Sequence, residues 1–123
     1  MLAASFSSAL SDTLSSELGN VYGKTYYNIL SLKHDTRGLN GVISLEGSLC
    51  GLGGSILIAG IYLAFVGSEL NFWIIIIAGT IGNLADSVLG ASVERKHIIG
   101  NNAVNFINTA IAAIVAALLY YII

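Results

Sequence analysis

Asp12, Asp86 and Asn83 are the side chains whose chemistry stands out from the apolar sequence around them. Asp86 and Asn83 close a run that begins at Leu70 and is otherwise almost wholly apolar. Three residues apart on a helix, they share a face, with Gly79, Gly82 and Gly90 close to it. An ionisable group in lipid costs about 3 kcal/mol or more, so it faces protein, water, a metal or a ligand. Asp12 interrupts a Ser-rich apolar segment in the same way. Such carboxylates suit Mg²⁺, which takes few protein carboxylates and fills its shell with water and phosphate oxygens. The candidate metal set is Asp12, Glu17 and Asp86. Glu17, five residues after Asp12, points elsewhere on an ideal helix. It joins the set only if the helix ends or distorts near Ser15; otherwise it pairs with a loop cation or stays in water.

A second group lies between the first two apolar segments, where Gly19, Gly23 and Lys24 precede Arg37, Gly38, Leu39, Asn40, Gly41 and Ser44. A Gly-rich basic loop that opens a helix suits phosphate, because glycine exposes backbone N–H groups and the helix N-terminus is electropositive. Lys24 and Arg37 can add charge-assisted contacts. The spacing of Gly19 and Gly23 is one residue short of a Walker A loop. The other reading of this stretch is an ordinary connection whose basic residues set topology. Asn83, Asn102 and Asn105 are candidates to position an acceptor substrate. His34 and His97 lie in separate polar loops, and their spacing gives no zinc signature.

The elements that must position these groups are apolar segments near the length of a bilayer span. The expected helices cover residues 1–18, 42–66, 70–91 and 103–123, in one all-α polytopic membrane domain of about four transmembrane helices. All five Lys and Arg residues fall in the connections 19–41 and 92–102, whereas the connection 67–71 carries only Glu69. The positive-inside rule makes the two basic loops cytoplasmic, or stromal in a plastid. The carboxylates and amides then gather at that surface. Stripes of small residues, such as Gly47 with Gly51, Ser5 with Ser8, and Asn105 with Asn108 and Ala112, are expected to pack helix on helix.

Composition agrees with this architecture and excludes other classes. Of 123 residues, 55% are hydrophobic and only 10% charged, with a mean hydropathy of +0.81. A soluble domain of this size needs more charge to cover its surface. The net charge of −2 and the lack of a basic tract argue against nucleic acid as a partner. A lone Cys50 makes no disulfide framework and no thiolate cluster.

Read together, the motifs resemble those of one integral membrane family. They are Asp12 to Gly19, Gly38 to Gly47, Asp86 to Ala91 and Asn102 to Phe106, in that order along nearly the whole chain. The family includes the phytyl-phosphate kinase of tocopherol synthesis, transmembrane protein 19 and many bacterial and archaeal members. The resemblance implies a kinase that converts an isoprenyl monophosphate to the diphosphate with CTP or another NTP and Mg²⁺. For that activity Asp12, Asp86 and Lys24 are the catalytic candidates on physical grounds, and Arg37, Gly38, Asn40, Gly41 and Ser44 the substrate-binding ones. The resemblance covers the C-terminal half of a typical member, so the expected partners are the lipid bilayer, the isoprenoid phosphate, and a second copy or the missing N-terminal half. A weaker similarity, through Asp12, Gly23, Lys24 and Glu46, points to CTP-using membrane enzymes such as phosphatidate cytidylyltransferase and dolichol kinase. The rival readings are a small-solute transporter, with polar groups lining a path, and a non-catalytic membrane subunit.

Overall fold

The computed structural model describes all 123 residues. Four helices account for most of them: α1 (Leu2–Tyr22), α2 (Leu45–Val66), α3 (Glu69–Leu89) and α4 (Asn101–Ile122). Three spans are long and apolar enough to cross a membrane: Leu45–Val66, Glu69–Glu94 and Asn101–Ile122. α1 is more polar, and it packs against all three of the others. The fold is that of an all-α polytopic membrane protein. Its outward-facing side chains are the large apolar ones, such as Leu49, Ile56 and Ile61 on α2.

The interior is made of small and polar groups. α1 turns Ser7, Ser8 and Ser11 fully inward, and α2 meets it with Gly47, Gly51 and Gly54. A Cβ at Gly47 would lie 2.6 Å from the Ser15 carbonyl oxygen, and one at Gly51 2.7 Å from Asn83 Nδ2. These glycines are contact points between backbones, as small residues are where apolar burial supplies no drive. On α1 the buried stripe is Ala4, Ser7, Ser8 and Ser11, while Ser16 is exposed. Ser8 lies on the stripe expected from the sequence, and Ser5 on the same stripe donates to Thr109 O of α4. α1 and α3 form the central pair, with α2 and α4 on either side.

Helix ends differ from the expected ones for local reasons. α1 continues unbroken to Tyr22, past the apolar segment that defined it. Its last carbonyls find partners in the loop: Tyr26 Oη lies 2.9 Å from both Gly19 O and Gly23 O. The Arg37 Nη1 group donates to Asn20 O at 3.1 Å. These contacts satisfy carbonyls that the helix leaves open. α2 starts three residues later than expected, at Leu45, because Val42 and Ile43 form a short strand. That strand, β2 (Val42–Ile43), pairs antiparallel with β1 (Tyr27–Asn28). Ser44 then caps α2, its Oγ accepting from the Gly47 N–H at 3.1 Å. α3 runs into a π-helical turn over Gly90–Glu94, closed by Arg95 N–H donating to Gly90 O at 3.0 Å.

Candidate active site

Where α1 and α3 approach the loop end of the bundle, a polar cavity of about 160 Å³ opens between them. Asp12 from α1, Asp86 from α3 and Glu94 from the π turn line it, with Ser44 and Asn101 at its edge. The Gly38–Ile43 stretch forms its roof. No Lys or Arg side chain lines it. Each carboxylate is positioned by the element that carries it. Asp86 Oδ1 accepts from Asn108 Nδ2 at 2.6 Å, and Asn108 Oδ1 accepts from Ser8 Oγ at 3.4 Å. This chain ties α3, α4 and α1 together directly behind the carboxylate. Asp12 faces Asp86 across the α1–α3 contact, with Glu94 beyond.

The roof is clamped to the π turn. Gly41 adopts a φ of +76°, and a Cβ there would fall on Ala91. A Cβ at Gly90 would lie 2.9 Å from the Gly41 nitrogen. Both glycines are needed for the loop backbone to lie on the helix backbone. Arg95, just past the turn, donates to Asn40 O through Nε (3.1 Å) and Nη2 (2.7 Å) and to Asp35 Oδ2 through Nη1 (2.8 Å). The guanidinium beside Asp35 holds that carboxyl below its ordinary value, helped by the Thr36 N–H and the Asn28 amide. The N–H groups of Gly38, Asn40 and Gly41 donate to no protein acceptor.

The structure brings together Asp12, Asp86, Gly38, Asn40, Gly41 and Ser44 around one cavity. It separates the others. Glu17 is exposed and outside the cavity, because α1 stays regular and a five-residue step turns it away. It finds no loop cation either, since the one ion pair in the chain is Asp35 with Arg95. The Lys24 side chain is exposed and lines no part of the cavity; only its backbone N–H is engaged, donating to Glu46 Oε2 at 3.4 Å. Arg37 caps α1 instead of facing the cavity. Asn83 lies below it, buried against Gly51, with Oδ1 unpartnered. Asn102 is exposed and away from it. Asn105 lines a separate small opening.

Two functional candidates escaped the sequence. Glu94 stands eight residues after Asp86, which on a regular α-helix would set it about 80° away. The wider π turn carries it back to the cavity. Asn108 was legible as part of a packing stripe, but only the fold puts it on Asp86.

The donor set suits Mg²⁺ in one specific way. No three Asp, Glu, His or Cys side chains gather closely enough to make a metal site by themselves. Two facing carboxylates without a neighbouring cation are what Mg²⁺ takes when phosphate and water oxygens complete its shell. Ionised carboxylates here would disfavour a bare phosphate, and a cation between them would offset that repulsion.

Comparison with known proteins places the chain in context. No solved structure matches it. It is 39% identical to Protein VTE6, chloroplastic, of Arabidopsis thaliana, over 94% of this chain and 36% of that protein. It is 37% identical to the uncharacterized membrane protein MJ0933 of Methanocaldococcus jannaschii, over 95% of this chain and 49% of that one. It is 39% identical to the uncharacterized membrane protein sll0875 of Synechocystis, over 92% and 45% of the two chains. The chain thus spans between about a third and a half of the length of these relatives. Residues 1–113 match the family described as integral membrane protein DUF92, and the chain belongs to that family.

Proposed function

We propose that this chain forms the phosphoryl-transfer site of a membrane-embedded prenyl-phosphate kinase, converting an isoprenyl monophosphate to its diphosphate with CTP or another NTP. The observation that carries this reading is the cavity itself, where Asp12 and Asp86 converge under a glycine roof with free N–H groups. Bound Mg²⁺ would supply charge neutralisation between the donor's phosphate oxygens. Asp12 and Asp86 would hold it, and the Asn108 amide keeps the Asp86 carboxylate aimed at the cavity. The Gly38, Asn40 and Gly41 N–H groups would cradle the donor's phosphates. An oxygen of the acceptor monophosphate attacks the terminal phosphorus of the donor. The bond from that phosphorus to its bridging oxygen breaks, and the nucleoside diphosphate leaves. Such transfer rests mainly on positioning and charge compensation, which suits a site with no cysteine, serine–histidine pair or other obvious nucleophile.

Both basic loops close the bundle at the end where the cavity opens, so the positive-inside rule supports a cytoplasmic or stromal site. The test is Mg²⁺-dependent transfer from labelled CTP, ATP, GTP or UTP to a panel of prenyl monophosphates, in vesicles. Transfer lost in Asp86→Asn supports the reading and identifies the lipid. A folded chain that transfers to none of them overturns it. Solute flux without nucleotide turnover would replace it with the transport reading.

A further inference from the structure

Asp12 borders two openings, and only one of them faces the loops. The second is a gap of about 100 Å³ between α1 and α4, lined by Ala9, Asp12, Thr13, Asn105, Asn108 and Thr109. On the loop-side half of the bundle Gly47 and Gly51 close α2 onto the α1 backbone, and Gly79 of α3 packs on Ser7 of α1 beside Ser55 of α2. Gly82 packs α3 onto two neighbours, since a Cβ there would fall on Ser8 of α1 and lie 2.9 Å from Asn108 O of α4. α4 contains no glycine, and on the α1–α4 seam it meets α1 through Asn and Thr side chains. Deeper in the bundle Ser5 Oγ donates to Thr109 O at 3.0 Å and bounds the gap on that side.

The gap is polar where its surroundings are apolar, since Phe6 and Phe106 are exposed on the same two helices. Asn105 lies four residues inside the start of α4, a depth of about 6 Å. That is the depth of the head-group region, which adds about 5–8 Å to each side of the hydrocarbon core. The Asn105 amide makes no hydrogen bond within the protein, whereas Thr13 and Thr109 bond to Ala9 O and Phe106 O of their own helices. The free Asn105 amide therefore stands at the depth where a membrane-bound lipid carries its phosphate.

We propose that this gap is a lateral portal, through which a single-chain lipid phosphate presents its head group to Asp12 from the membrane. The water-soluble donor enters by the loop-side cavity. This deepens the kinase reading and rests on it. The two substrates approach the Asp12–Asp86 pair from opposite sides, and the tail stays in lipid beside α1 and α4.

The test is photo-crosslinking of the full chain in phosphatidylcholine vesicles with a prenyl monophosphate carrying a diazirine on its first isoprene unit. The expected result is label on residues 9–13 and 105–109, displaced by unlabelled prenyl monophosphate and not by prenyl alcohol. Asn105→Leu and the isosteric Asn105→Asp should each reduce that label about tenfold. Mg²⁺–CTP protection of residues 38–44 from hydrogen exchange should persist in both. Label confined to residues 38–44, with transfer intact, overturns the portal and leaves the kinase standing. Displacement by the alcohol as well overturns a head-group site. An absence of displaceable label anywhere overturns the portal and the kinase together.

Discussion

Asp86 is the carboxylate whose behaviour the fold controls most directly, because Asn108 grips one of its oxygens at 2.6 Å. Asp86→Asn keeps the size of the side chain and leaves Asn108 a carbonyl oxygen to bond. The variant should therefore fold, while transfer drops about 100-fold or more through loss of one anionic oxygen at the reacting phosphates. Equal melting temperatures for the two proteins, measured alongside the transfer rate, check that the loss is chemical. Asn108→Ala tests the support behind the carboxylate. It frees Asp86 to rotate and leaves Ser8 without its acceptor. The Mg²⁺ concentration needed for half-maximal transfer should rise about tenfold or more. An unchanged Mg²⁺ requirement would show that Asp86 is aimed by something other than Asn108. Glu17→Gln, by contrast, should change neither property, since its side chain points into solvent away from the cavity.

At the scale of elements, the cavity depends on a loop pressed onto a π turn. Gly41→Ala combines a positive φ with a collision on Ala91, so it should lift the roof and cost about 1 kcal/mol or more. Gly53→Ala has open space around it and should be neutral or slightly stabilising. Amide exchange of Leu39 and Val42, whose N–H groups are bonded within the loop, should rise in the first variant and stay unchanged in the second. The Arg95–Asp35 pair is the other clamp, and it carries a pH dependence of known sign. Asp35 ionises more readily in the folded loop than its ordinary value of 3.8. Its contribution is therefore complete above that value and is lost as pH falls through the lower folded-state value. Limited proteolysis of the 24–41 loop should be steady from neutral pH to about 4 and accelerate below it. In Asp35→Asn it should be fast already at neutral pH. These clamps also explain what was legible in the sequence. Spans of about 20 apolar residues announce α2, α3 and α4 by composition, and the glycines of α2 announce close packing. The β1–β2 pair has two residues per strand and joins positions far apart in the chain, so no periodicity reveals it. Arg37 and Lys24 look like phosphate ligands by type and loop context. Only the fold shows that Arg37 is spent on the end of α1 and that Lys24 faces away from the cavity.

For the whole molecule, the decisive asymmetry is that one end of the bundle holds every basic side chain, the polar cavity and the clamps. The other end holds the short connection at Gly67 and Ser68, with exposed Trp73, Tyr120 and Tyr121 near it. Aromatic rings of this kind favour the membrane interface. A nucleotide is confined to the compartment where it is made and cannot cross the hydrocarbon core, so a nucleotide-using cavity must open on that side. On the kinase proposal, the end marked by the basic residues and the end at which a nucleotide would enter are the same. The chain offers a direct check because Cys50 is its only cysteine. On a Cys50→Ala background, Thr36→Cys reports the cavity end and Ser68→Cys the opposite one. In intact cells an impermeant maleimide should label Ser68→Cys and not Thr36→Cys, and permeabilisation should expose Thr36→Cys. The reverse pattern would put the cavity on the side without nucleotide and remove the basis for a kinase. Saturating Mg²⁺–CTP should then slow the labelling of Thr36→Cys in permeabilised cells, because the loop that carries it also forms the roof.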